Sequence, residues 1–231
     1  MEVIKIQKTY GKKQVLKEIS FEMKKGTCTG IIGANGCGKS TLFRILSGGE
    51  KADGGEILIE GKPYRYGKDN LAGIVGYIPQ ENALIEELAV KDNIALFSSL
   101  SRKKPEEEYV KALCNHFSVT DFYKERVGRL SGGMKKRVAI VCALVNRPRI
   151  LIMDEPSAAL DLVFKEELGH YIKLFTAQGG SVLISSHDKG EIEACDTLYA
   201  IVDGVTVLAD KALSLEEMIE RYMKTKRKES V

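Results

Sequence analysis

The stretch "CTGIIGANGCGKSTLFRILSG", residues 28–48, constrains the fold more than any other part of the chain. It begins as an apolar run too short for a helix and without polar alternation, as expected of a strand buried on both faces. A glycine-rich turn follows, then helical spacing with Leu42, Ile45 and Leu46 on one face and Gly48 as a stop signal. A strand, a tight turn and a helix in this order form half of a βαβ unit, and the pattern recurs. "RILIMD" (149–154) and "SVLISS" (181–186) are further apolar strands, separated by a helical segment over 160–178. Buried strands alternating with amphipathic helices require a mainly parallel sheet covered on both sides, so the fold class is α/β.

Other segments vary this theme. "EISFEM" alternates, placing Ile19, Phe21 and Met23 on one face of an N-terminal strand. "GEILIEG" (55–61) and "GIVGYIPQ" (73–80) also read as strands. From 82 to 130 the chain turns charged, helical and poor in glycine, which predicts a helical lobe inserted into the domain. In "LYAIVDGVTVLA", Asp203-Gly204 between two β-rich runs predicts a hairpin. The expected organisation is one domain over 1–231. Residues 1–81 and 131–210 form its core, 82–130 a helical subdomain, and 211–231 a C-terminal helix with a basic tail.

Composition narrows the function classes. A formal charge of +3 over 231 residues, with no dense basic stripe, argues against a nucleic-acid partner. The five cysteines are scattered without metal-ligand spacing and read as reduced thiols. The charged N-terminus does not resemble a signal peptide. The strongest apolar run, "VAIVCALV" (138–145), falls far short of the ~20 residues needed to span a membrane, so a membrane role would act through a partner.

Three stretches carry chemistry. "GANGCGKST" (33–41) fits the phosphate-loop pattern G-x-x-x-x-G-K-S/T between a strand and a helix. Gly33, Gly36 and Gly38 let the backbone curl so that N–H groups point at phosphate oxygens, with Ala34, Asn35, Cys37 and Thr41 completing the cradle. Lys39 supplies charge to the β- and γ-phosphates, and Ser40 a hydroxyl to Mg2+. At the end of "RILIMDEP", adjacent carboxylates point in different directions. Asp154 suits Mg2+ through its water shell, and Glu155 suits deprotonation of an attacking water. Two solvated charges capping a strand would look the same in isolation; beside a phosphate loop the chemical reading prevails. "LSGGMKKR" (130–137) opens a helix with serine and two glycines, an anion-binding start bought at the expense of helix propensity. By itself this is either a packing accident or a second hold on a phosphate bound elsewhere. Cys37, among inward N–H groups near a helix start, is expected to have a lowered thiol pKa.

The phosphate loop, "LSGGMKKR", "LIMDEP", "SAALD" and a histidine after a strand occur in the order and spacing of the ABC ATPase cassette, which the chain resembles over about 1–210. The resemblance implies a P-loop NTPase core with an N-terminal antiparallel β region and an inserted helical subdomain, and ATP with Mg2+ as cofactors. It implies that Tyr10 stacks on adenine and that Gln80 touches Mg2+ or water and senses a membrane partner. It implies that His187 contacts the γ-phosphate and that Asp161 closes a loop communicating between subunits. Two cassettes pair head to tail in the family, so Ser131, Gly132 and Gly133 would cap the nucleotide held by a second ATPase subunit, most simply in a homodimer. Met134, where many relatives carry glutamine, is a modest departure. The implied function is ATP hydrolysis powering a transporter with separate transmembrane permease subunits, with a lean towards export. The chain would then be cytoplasmic and peripheral on the inner face of the membrane. The alternative is a soluble ABC ATPase with non-transport work.

Overall fold

A computed structural model describes residues 1–81, 83–157, 160–210 and 217. The chain begins with strands β1 (Glu2–Tyr10), β2 (Lys13–Glu22) and β3 (Cys28–Ile32), then helix α1 (Lys39–Leu46). Strands β4 (Gly54–Ile59), β5 (Lys62–Pro63) and β6 (Val75–Ile78) lead into helices α2 (Val90–Ser99), α3 (Glu107–His116) and α4 (Gly132–Leu144). Then come β7 (Ile150–Asp154), α5 (Leu162–Ala177), β8 (Ser181–Ser185), α6 (Lys189–Ala194), β9 (Thr197–Val202) and β10 (Val205–Leu208). The expected C-terminal helix and tail over 211–231 lie outside the described residues, apart from Glu217.

The strands form one sheet in the order β5-β4-β1-β2-β10-β9-β3-β8-β7-β6. From β9 to β6 every neighbour is parallel. The other end, β5-β4-β1-β2, is antiparallel. The hairpin of β9 and β10 joins the two parts, with the Lys17 N–H donating to Gly204 O at 2.7 Å. Its turn residues Asp203 and Gly204 both have positive φ, 50° and 77°, as a two-residue hairpin with right-handed strand twist requires.

Alternation along the buried strands explains why they read as continuous apolar runs. Ile150 and Ile152 face one core with Ile31, Leu183 and the α1 residues Leu42, Phe43, Ile45 and Leu46. Leu151 and Met153 face the opposite core with Val182, Ile184, Phe164 and the apolar side of α4. Phe43 is as buried as the expected helix face because α1 also touches the antiparallel region, through the cluster that holds Leu16, Ile19 and Met23. α4 packs against both α2 and β6, so it bridges the helical lobe and the sheet. Within the lobe, the fully buried Asn93 accepts from the Ile85 N–H at 2.8 Å and donates to Ile85 O at 3.0 Å. This fixes the chain soon after it leaves β6.

Candidate active site

Strands β3, β8, β7 and β6 are parallel neighbours, so their carboxyl ends open at one edge of the sheet. Each end delivers part of a site. The loop after β3 starts α1; β7 ends in Asp154 and Glu155; β8 leads to His187; β6 leads to Gln80. Between them lies a cleft of about 550 Å³. Asn35, Gly36, Gly38, Lys39, Ser40 and Thr41 form one wall. Gln80, Glu155 and His187 form the other.

The loop is held open by its glycines and closed over its lysine. Gly38 has φ 111°, and a Cβ there would lie 2.6 Å from the Leu16 side chain. Lys39, only 7% exposed, donates through Nζ to Gly33 O at 2.7 Å and Ala34 O at 3.5 Å. Its ammonium is thus folded back onto two carbonyls of the loop that precedes it, on the wall of the cleft.

Glu155 is the centre of the opposite wall. Its backbone adopts φ 47°, and its N–H is pinned by Ser185 Oγ and Ser185 O, each at 3.1 Å. A non-glycine residue in this region of φ is uncommon and needs such support. The turn aims the carboxylate at the cleft, where Oε2 accepts from Gln80 Nε2 at 3.3 Å and Oε1 faces His187 Nε2 at 3.3 Å. Three predicted residues from three different strand ends therefore meet at one carboxylate.

Asp154 points back into the protein and is 1% exposed. Oδ1 accepts from Ser185 Oγ at 2.5 Å, whereas Oδ2 is buried without a hydrogen-bond partner. An orphaned buried carboxylate oxygen at the end of β7 is the kind of donor that a hard cation such as Mg2+ takes. No cluster of three or more His, Cys, Asp or Glu side chains able to hold a metal occurs among the described residues. A cation at Asp154 would thus depend on ligand oxygens and water, as Mg2+ beside phosphates does.

Tyr10, at the end of β1, is 43% exposed and does not line the cleft. Its hydroxyl donates to Glu50 and accepts from Arg44 at 3.4 Å, and Arg44 also donates to Thr41 Oγ1 at 3.4 Å. The tyrosine is tethered to the phosphate loop through an arginine that the sequence did not single out. Glu50 is opposed by burial, but hydrogen bonds from Tyr10, Lys8 and Arg44 outweigh it and hold the carboxyl below its usual range.

Ser131, Gly132, Gly133 and Asp161 are not in the cleft. Ser131 caps α4, its Oγ accepting from the Met134 N–H at 3.3 Å. A Cβ built on Gly132 would meet nothing within 4 Å, so this chain's own packing does not require glycine there. Asp161 caps α5 by accepting from the Phe164 N–H at 2.8 Å. The next two residues, Leu162 and Val163, are 72% and 74% exposed.

Cys37 corrects an expectation. Burial raises its thiol pKa, outweighing Lys39 and the backbone N–H groups that lower it. The sulfur is tucked behind the loop, where a Cβ on Gly33 would come within 2.6 Å of it, and packs against the core. Cys37 is not a wall of the cleft. Ser185 and Arg44 are the residues that sequence reasoning missed. Ser185 carries a signal in hindsight, as a polar end to an apolar strand just before the histidine.

Residues 16–158 match the family model described as ABC transporter. A lantibiotic transport ATP-binding protein of Streptococcus pyogenes is 31% identical over 227 residues, spanning 96% of this chain and 97% of that protein. A Nod factor export ATP-binding protein of Rhizobium sp. (strain N33) is 32% identical over 203 residues, 86% of this chain but 66% of that protein. A solved dimeric ATP-binding cassette, in a post-hydrolysis state bound to ADP and Pi, superposes with TM-score 0.80 at 26% identity, covering 93% of this chain and 99% of that one.

Proposed function

This chain belongs to the ABC transporter family, and we propose that it is the ATP-hydrolysing subunit of an exporter whose spanning subunits are separate polypeptides. The observation that carries the reading is the meeting of Gln80, Glu155 and His187 opposite the Lys39 cradle. The export lean rests on the Nod factor export relative.

In this mechanism the loop N–H groups and Lys39 hold the phosphates of ATP, and Tyr10 offers its exposed ring to adenine. Ser40, Asp154 and Gln80 would hold Mg2+, which neutralises charge on the β- and γ-phosphates. Glu155 takes the proton of the attacking water, oriented by Gln80, while His187 donates to the γ-phosphate. Ser131 and the N–H groups of Gly132 and Gly133, at the start of α4, cap the γ-phosphate held by a second copy. Close approach of that phosphate explains a glycine which the chain's own packing leaves optional. Asp161, beside the exposed Leu162 and Val163, lies on the face meeting that copy.

No helix among the described residues is long and apolar enough to cross a membrane. The spanning subunits would engage a second cleft of about 600 Å³, which Pro79, Phe97 and Leu100 help to line beside the strand leading to Gln80. Residues 1–81 and 131–210 act as the nucleotide-binding core and 82–130 as the lobe reached by that partner, with the chain peripheral on the cytoplasmic face. The test is Pi release by the purified chain with ATP, with and without Mg2+. Mg2+-dependent release is expected, and none at protein concentrations where the chain dimerises would overturn the reading.

A further inference from the structure

Lys136 lies on α4, the helix that Ser131 caps, yet it is 4% exposed. Lysine is almost never so buried without a partner, because its ammonium must be desolvated. Here Nζ donates to Pro79 O at 3.1 Å. That carbonyl immediately precedes Gln80, whose amide reaches Glu155. Burial lowers the pKa of Lys136 below the ordinary lysine value, and the carboxylates of Asp154, Glu155 and Glu191 offset only part of that. One buried cation thus joins the helix of the "LSGG" start to the turn carrying Gln80.

We propose that Lys136 is a positioning residue for ATP hydrolysis: its ammonium anchors the Pro79 carbonyl so that Gln80 meets Glu155. It touches neither nucleotide nor water and acts through Gln80 and Glu155. The inference rests on the hydrolytic reading above. It assigns a chemical task to a residue that in sequence is one of several lysines and arginines in "GGMKKR". An exposed lysine at this place would be an ordinary solvated charge; the burial and the Pro79 bond make the difference.

The test uses the full chain with Lys136→Met, which keeps the length of the stem and removes donor and charge, and Lys136→Arg, which keeps both. Lys136→Met should lower kcat roughly 10- to 100-fold, the scale of a small misplacement of catalytic groups, with KM for ATP changed less than about threefold. Lys136→Arg should restore most of the loss. In a Glu155→Gln background Lys136→Met should add no further loss, since the residue acts through Glu155. A purely structural role would instead lower both backgrounds alike. If Lys136→Met does not fold, Lys136→Gln is measured with the same expectations. The inference is overturned by a kcat within twofold of wild type, by a multiplicative loss in the double variant, or by Lys136→Arg turning over no faster than Lys136→Met. A wild-type chain that hydrolyses normally beside an equally active Lys136→Met would sink this inference alone. A wild-type chain without hydrolysis would sink the proposed function and this inference with it.

Discussion

Ser185 Oγ donates to Asp154 Oδ1 at 2.5 Å and, through the same oxygen, accepts from the Glu155 N–H at 3.1 Å. One hydroxyl on β8 therefore sets both carboxylates at the end of β7, in the register that pairs Asp154 with Ser185. Ser185→Ala would leave Asp154 with both oxygens buried and unpartnered. The expected cost is about 1–3 kcal/mol of unfolding free energy, read by denaturant titration, together with slower turnover. A variant as stable as wild type would mean that water replaces the hydroxyl without loss.

The orphaned Asp154 Oδ2 leads to a prediction about Mg2+. Nucleotide should raise the thermal midpoint more with Mg2+ than with a chelator, because ligand bound to the native state stabilises it by mass action. Asp154→Asn should remove most of that difference while keeping the shift due to nucleotide alone. Equal Mg2+ effects in both proteins would take the cation away from Asp154.

Glu155→Gln should slow steady-state hydrolysis by roughly 10²–10⁴-fold, the usual contribution of a general base. Nucleotide binding should persist, because the phosphates are held by Lys39 and the loop. Both are measured on the same sample. Hydrolysis within twofold of wild type would remove Glu155 from the role of base.

How much of this was legible in sequence depends on how local each feature is. The phosphate-loop pattern, the buried strands and the Asp203-Gly204 hairpin follow from neighbouring residues, and the strands and the hairpin stand in the structure as expected. The convergence of Gln80, Glu155 and His187 was legible only through resemblance, since nothing in "YIPQ" by itself points to a carboxylate 75 residues on. Ser185, Arg44 and Lys136 escaped because their partners are distant in the chain and depend on strand register or on which way a helix turns its face. Cys37 was misjudged by a local argument: nearby N–H groups lower a thiol pKa, but burial, a tertiary quantity, outweighs them.

That correction has a measurable sign. With its pKa raised by burial, Cys37 carries less thiolate near neutral pH in the folded chain than in the unfolded one. Iodoacetamide should therefore modify folded Cys37 more slowly than denatured Cys37 at pH 7, and the gap should close as pH climbs through the folded value. Peptide mass mapping over a pH series reads this directly. Faster modification of the folded chain near neutrality would restore the activated thiol.

The exposed start of α4 carries the last prediction. Ser131 caps the helix and a Cβ on Gly132 would touch nothing, so the first turn is open to another molecule and closed to its own chain's cleft. Ser131→Arg should leave ATP binding by dilute monomer nearly unchanged, because the arginine never reaches that monomer's own Lys39. In the dimer it should intrude on the neighbour's γ-phosphate and abolish turnover. Lys39→Ala should behave in the opposite way, weakening binding in the monomer by stripping the charge from its own cradle. The wild-type rate per subunit should rise with protein concentration, since each complete site needs two chains. Nucleotide titration of both variants at low concentration, beside hydrolysis over a concentration series, checks all of these. Loss of monomer affinity in Ser131→Arg would mean that the serine serves its own nucleotide. A flat rate per subunit while the protein is demonstrably monomeric would end the shared-site mechanism.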